Sequence, residues 1–272
     1  MVASTLISGY APSSSAKLYY EVRGEGAALV FIHAGVADHR MWEPQVEAFA
    51  SRHKVVCHDL RGFGKSAMVK EPFSLREDLL AVMRHLGIAK ATLIGCSMGG
   101  GAAIDFALEH PEMVGALVPV GAGISGWSDW SEESGRLMNE MTAAARNGEV
   151  DAAFEISAKY WIDGPSRDAS CVDPIYRTHA RRMHRDNFSL ELFQHTEVPL
   201  SPPAINRLRE IRCPTLAVIG DHDAEDLRKV ANHLANQIPG AKLHTIANAA
   251  HLPSLEHPVE FNRLLNDFLE SV

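Results

Sequence analysis

The sequence contains no CxxC pair, no HExxH motif and no histidine beside a cysteine cluster. The usual signatures of zinc sites and zincin-type chemistry are therefore missing, and the 14 histidines read as surface or hydrogen-bonded side chains. No metal and no cofactor is expected. Basic residues are in deficit, with 26 Lys and Arg against 34 Asp and Glu and a net charge of -8. That balance argues against a nucleic acid or an anionic membrane surface as partner. No stretch approaches the roughly 18 apolar residues needed to cross a bilayer. The opening MVASTLISGYAPSSS has neither a basic n-region nor a sustained apolar h-region, so it does not read as a signal peptide. The four cysteines (Cys57, Cys96, Cys171 and Cys213) are scattered, as expected for reduced thiols of a cytoplasmic protein. There is no internal repeat and no low-complexity tract.

What is present is a chain of 272 residues, 46% hydrophobic and 22% charged, enough for one large α/β domain with an insertion. Its first half alternates. AKLYYEV (16–22) and AALVFIH (27–33) are β-rich runs joined by Arg23-Gly24-Glu25-Gly26, which suggests a hairpin. Helical periodicity follows over 41–51, a strand over 53–60, and an amphipathic helix over 73–87 with Ser74 as N-cap and Gly87 as stop. ATLIGC (91–96) reads as a strand, 97–110 as a helix ended by Pro111, and 113–121 as another strand. Near-continuous apolar strands between helices indicate a mostly parallel, doubly wound sheet covered on both faces.

The alternation breaks after Gly121, and from about 127 to 210 helical periodicity alone remains. Strands return at 213–220 and 241–247, with helices at 224–237 and from about 257. The expected organisation is an α/β core of residues 1–126 and 203–272 with an all-helical insertion over 127–202, left through the proline-rich VPLSPPAI.

Gly95-Cys96-Ser97-Met98-Gly99 fits G-x-S-x-G between a predicted strand and a predicted helix. A nucleophile on so tight a turn needs small neighbours two residues away on either side. Gly95 and Gly99 supply them for Ser97, whereas centring the frame on Cys96 would put Ile94 and Met98 there. Serine needs a base, itself oriented by an acid. The predicted strand ending at Gly220 runs into Asp221-His222-Asp223, and the next leads to His251. Loops at strand C-termini are where an open α/β sheet builds its site, so Ser97, an aspartate at 221 or 223, and His251 are expected on one rim.

On these residues the chain resembles an α/β-hydrolase-fold serine hydrolase of the capped branch that includes esterases, lactonases and C–C hydrolases. Asp59-Leu60-Arg61-Gly62-Phe63-Gly64-Lys65-Ser66 resembles the family's D-x-R-G-x-G-x-S loop, and His33-Ala34-Gly35-Val36 its H-G-x oxyanion loop, with Ala34 replacing a glycine. Gly220-Asp221-His222-Asp223 resembles G-x-x-D, which implies Asp223 as the acid, with Asp221 the alternative. His251 resembles the G-H turn, with Ala250 for glycine, and Glu256 and Pro258 resemble the E-x-P that follows.

The resemblance implies acyl transfer on Ser97 with His251 as base and Asp223 as its partner, and an oxyanion hole of the Met98 and Gly35 N–H groups. It further implies that the insertion is a cap over the site. Val36, Trp127, Trp130 and Trp161 are candidate pocket residues, with Met138, Met141, Phe154 and Tyr160. A substrate carboxylate could be met by Arg177, Arg181 or Arg182, although such a basic run more often forms a solvated face. The leading reading is hydrolysis of a carboxylic ester or lactone of a small, fairly apolar molecule. Its alternatives are C–C bond hydrolysis of a ring-cleavage product, cofactor-free perhydrolase or haloperoxidase activity, and a slow-turnover ligand sensor. The sequence leaves the oligomeric state open.

Overall fold

The computed structural model describes residues 5–14, 16–189 and 197–272. Apolar runs of five to seven residues supply the buried strands. In chain order the strands are β1 (Ile7–Ser13), β2 (Ala16–Arg23), β3 (Ala28–Ile32), β4 (Lys54–His58), β5 (Ala91–Cys96), β6 (Val114–Val120), β7 (Leu216–Gly220) and β8 (Lys242–Ile246). They form one sheet in the order β1-β2-β4-β3-β5-β6-β7-β8. From β4 to β8 every pairing is parallel, while β1 and β2 join antiparallel at one edge.

Two features of that edge differ from the sequence reading. β2 and β3 do not form a hairpin, because β4 lies between them and pairs with both. The Gly24-to-Gly26 turn is instead a link between non-adjacent strands. The hairpin partner of β2 is β1, a strand the periodicity does not reveal, since ISGYAPS is mostly exposed and contains a proline.

Helices α1 (Glu43–Phe49), α2 (Leu75–His85), α3 (Met98–Glu109), α4 (Glu132–Arg146), α5 (Val150–Ala158), α6 (Pro174–Asn187), α7 (Glu225–Gln237), α8 (Pro253–Glu256) and α9 (Pro258–Glu270) complete the framework. Alternate residues of β3 feed two separate cores. Val30 and Ile32 pack with Leu79, Val82 and Met83 of α2 and Phe106 of α3. Leu29 and Phe31 pack with Trp42, Phe49 of α1 and Phe261 and Leu265 of α9. This is the period-2 signature of a strand buried on both faces. At α2 the Ser74 side chain accepts from the Glu77 N–H, as its position predicts.

Between β6 and β7 the chain leaves the sheet and is helical through α4, α5 and α6. It departs and returns at one place: Ser125 Oγ accepts from the Ala204 N–H at 2.8 Å, and Ser125 O from the Ile205 N–H at 3.1 Å. Three polar contacts fasten these helices to the sheet layers. The Asp226 carboxylate takes the Ser131 N–H and hydroxyl at 2.8 Å each. Arg167 pairs with Glu256 at 2.8 Å. Asn187 donates to Asp38 at 2.8 Å and accepts from the Gly64 N–H at 2.7 Å. Among the described residues no helix is long and apolar enough to cross a membrane.

Candidate active site

β5 ends at Cys96 and α3 begins at Met98, which leaves Ser97 alone to make the turn. It does so at φ 54° and ψ -116°, a conformation an L-residue holds only under strain. The flanking glycines explain how the chain tolerates it. A Cβ on Gly95 would collide with the Gly99 carbonyl, and one on Gly99 with the Ile32 and His33 carbonyls. Gly100 has a reason too, since a Cβ there would lie 2.5 Å from Ala122 Cβ. The glycine run thus brings α3 against the C-terminal ends of the central strands, with backbone touching backbone.

Asp223 and His251 follow the parallel neighbours β7 and β8. Both are almost fully buried, and His251 Nδ1 lies 3.1 and 3.0 Å from the two Asp223 oxygens. One of those oxygens also accepts the Ala224 N–H at 2.8 Å, which fixes the carboxylate. Asp221 serves differently. Its carboxylate accepts the Ala249 N–H at 3.2 Å, bracing the loop that carries the histidine. Glu256 braces the same loop by accepting the Ala250 N–H at 2.9 Å. Ser97 and His251 both open on one cavity of about 210 Å³. No hydrogen bond joins Ser97 Oγ to His251 among the described residues, a looser arrangement than a substrate complex requires.

The loop after β3 brings Gly35 and Val36 to that cavity. His33 Nε2 accepts the Leu60 N–H at 2.8 Å, so its Nδ1 carries the proton and donates to Ala34 O at 2.8 Å. Burial lowers the pKa of His33 and keeps it neutral, as this role needs. Gly35 comes to rest against Met98, whose side-chain methyl would lie 3.0 Å from a Cβ on Gly35. Met98 is the first residue of α3, so its N–H has no partner within the helix. Gly35 and Met98 line the cavity beside Ser97, and Met98 stands at the positive end of the α3 dipole, where negative charge is favoured.

The helical excursion supplies the other walls. Val36 and Trp161 line the cavity, with Met138, Met141 and Phe188. Trp127 and Trp130 do not. Trp127 packs on the core beside His233, and Trp130 is exposed with its indole N–H on Trp127 O. Phe154 and Tyr160 are buried in contacts between helices rather than at the cavity. Arg177 is paired with Asp163 and Arg181 with Glu155, while Arg182 is exposed, so none of the three reaches the cavity. Four polar lining residues escape the sequence reading: Ser157, His184, Asn187 and Ser189. His184 and Asn187 share the buried face of α6 with Tyr176, Ala180 and Met183. Helical spacing alone would have marked them as polar groups turned inward.

Comparison with known proteins agrees with this fold. Residues 27–258 match the family described as alpha/beta hydrolase fold. The chain belongs to that family. A 2-hydroxy-6-oxononadienedioate/2-hydroxy-6-oxononatrienedioate hydrolase of Burkholderia vietnamiensis is 30% identical over 264 residues, which covers 93% of this chain and 91% of the relative. The protein of the same name from Comamonas testosteroni is 30% identical over 277 residues, with 94% and 92% covered. Among solved structures, an N-acyl homoserine lactone degrading enzyme superposes with a TM-score of 0.78 at 26% identity, over 96% of this chain and all of that one.

This α/β hydrolase departs from the family motifs at two glycine positions, and the structure accounts for both. Ala34 and Ala250 stand where glycine is usual, yet neither backbone has a positive φ, so a Cβ costs nothing in conformation. Cys96, before the serine, is fully buried with its S–H 3.5 Å from His251 O. Burial, then the charge on Asp223, raises its pKa well above the ordinary thiol range, so it remains an unreactive thiol.

Proposed function

We propose that this α/β hydrolase cleaves an ester or lactone of a small, fairly apolar, uncharged molecule through an acyl-enzyme on Ser97. The observation that carries this reading is the Asp223 carboxylate on His251 Nδ1 at 3.0 Å, with His251 and Ser97 opening on one cavity. Neutral His251 takes the Ser97 proton on Nε2 as Oγ attacks the carbonyl carbon. The resulting oxyanion is held by the Met98 and Gly35 N–H groups. His251 then returns the proton to the departing alcohol, and a water deprotonated by the same nitrogen releases the acid. Asp223 fixes the tautomer and stabilises the imidazolium. Residues 127–202 serve as a cap over a core of 1–126 and 203–272. The four unpaired thiols fit a reducing, cytoplasmic setting.

C–C bond hydrolysis is the second reading, and the two relatives named for it favour it. Their substrate names denote dicarboxylates, which call for a cation in the pocket. Among the described residues the cavity is lined by no lysine or arginine, and LELFQHT (190–196) contains none. The neutral substrate therefore fits better.

A panel of p-nitrophenyl esters, lactones and vinylogous dicarboxylates, run on wild type and Ser97→Ala, tests the proposal. Neutral esters or lactones should be turned over and dicarboxylates not. Ser97→Ala should lose at least about a thousandfold in kcat with its circular dichroism unchanged. Full activity of Ser97→Ala would refute the mechanism.

A further inference from the structure

The helical wall of the cavity holds a polar pair that the acyl-transfer mechanism does not use. Ser157 of α5 and His184 of α6 lie 3.0 Å apart, Oγ to Nε2. Each is 3% exposed and each lines the cavity, among apolar neighbours Met141, Trp161 and Phe188. Burying a hydroxyl and an imidazole in such surroundings is costly unless their hydrogen bonds are completed.

The ring chemistry decides which bond remains open. Burial, then Arg181 and Arg185, push the His184 pKa down to about 4, so the ring is neutral at pH 7. It packs against Phe154 and Phe188 at centroid distances of 5.1 and 5.3 Å, and its Nδ1 has no hydrogen-bonding partner. With no carboxylate behind it, the pair is not a second catalytic dyad. Of the two tautomers, one would leave a buried Nδ1–H orphaned, and the other only a bare Nδ1 lone pair. Orphaned buried N–H groups are the rarer of the two. In the favoured tautomer Nε2–H donates to Ser157 Oγ, which leaves the Ser157 O–H unmatched. Asn187 on the same wall has no such capacity: its oxygen accepts from Gly64, and its two protons go to Asp38 and Met183 O.

We propose that the Ser157 hydroxyl, held by His184, forms a specificity subsite that donates a hydrogen bond to a neutral acceptor on the substrate, such as a keto, amide or ring carbonyl remote from the scissile bond. This rests on the serine-hydrolase reading of the cavity, and it narrows the substrate class to esters or lactones with a second carbonyl. Because His184 is neutral, the subsite selects a dipole rather than a carboxylate.

The test compares p-nitrophenyl hexanoate with its 4-oxo and 5-oxo analogues on wild type, Ser157→Ala and His184→Phe. The readout is the ratio of kcat/KM for the better oxo ester to that for the plain ester. Ser157→Ala should lower this ratio about 3- to 10-fold, the range for one neutral hydrogen bond, and His184→Phe should lower it in the same direction. A ratio unchanged in Ser157→Ala overturns the subsite. The same comparison is made by Trp161 fluorescence with methyl hexanoate and methyl 4- and 5-oxohexanoate on Ser97→Ala, with and without Ser157→Ala. Binding needs no turnover, so a failure of the hydrolase reading leaves this arm intact. An oxo preference in binding that ignores Ser157 likewise overturns the subsite.

Discussion

Trp161 lies against His251 with ring centroids 4.5 Å apart and planes tilted by 43°. The contact joins the helical segment above the cavity to the proposed base below it. It limits how the imidazole can swing, and the indole face favours the cationic ring formed during acyl transfer. Trp161→Leu should therefore lower kcat about 2- to 10-fold, while Trp161→Phe, which keeps a ring, should retain most of it. Equal losses in the two variants would show that the ring contact is immaterial.

Asp221 and Asp223 separate by the groups they hold. Asp223→Asn leaves His251 in the wrong tautomer and should reduce kcat on the order of 10⁴-fold. Asp221→Asn loosens only the Ala249 N–H and should cost less than about tenfold, since a neutral acceptor still serves there. Steady-state kinetics on one activated ester distinguishes the two.

The glycines of α3 are not equivalent. Gly100→Ala drives a methyl into Ala122 and should destabilise the fold by about 1–3 kcal/mol. Gly101→Ala meets only the Gly123 carbonyl at 3.2 Å, and the gain in helix propensity offsets that contact. Its stability in urea should stay within about 1 kcal/mol of wild type.

Acid should weaken the protein as the pH falls below about 6.5. Burial lowers the pKa of His58 and of His184 from 6.5 to about 4, with smaller contributions from neighbouring His33 and from Arg181 and Arg185 respectively. Each is neutral when folded, so the unfolded chain binds more protons between pH 6.5 and 4, and stability falls as pH drops through that window. One such group accounts for up to ~3 kcal/mol. His39 opposes this. Although burial lowers its pKa, the bond to Asp59 raises it overall, so its protonation favours the fold. Urea midpoints at pH 7.5, 6 and 5 should decline, and His58→Leu should flatten the decline.

The chemistry is more legible in the sequence than its container. Gly95, Ser97 and Gly99 can be recognised because a strained turn imposes local spacing, and the order of aspartate and histidine follows from strand ends. β1 is hidden because an exposed edge strand needs no apolar alternation. The apparent β2–β3 hairpin misleads because strand order is a long-range property: nothing within residues 16–33 records that β4 inserts between them. Trp127 and Trp130 suggest a pocket by their size alone, yet aromatic bulk serves helix packing and surfaces equally well. Ser157 gives no sign in the sequence, and His184 and Asn187 show only the helical spacing of an inward face, because polar residues on two helices converge only once those helices pack. The basic character of YRTHARRMHR draws attention to its outer face, whereas the inner one meets the cavity.

The Ser125–Ala204 junction has a consequence for descent. Because the helical segment begins and ends at the same point, a lineage can lengthen, shorten or replace it as a single cassette without touching the register of β6 and β7. The proposed reacting groups sit on the sheet's loops, and much of the cavity's lining lies within the cassette. Such an architecture lets a lineage keep one set of reacting groups while the surface that meets the substrate changes, with novelty concentrated outside the sheet.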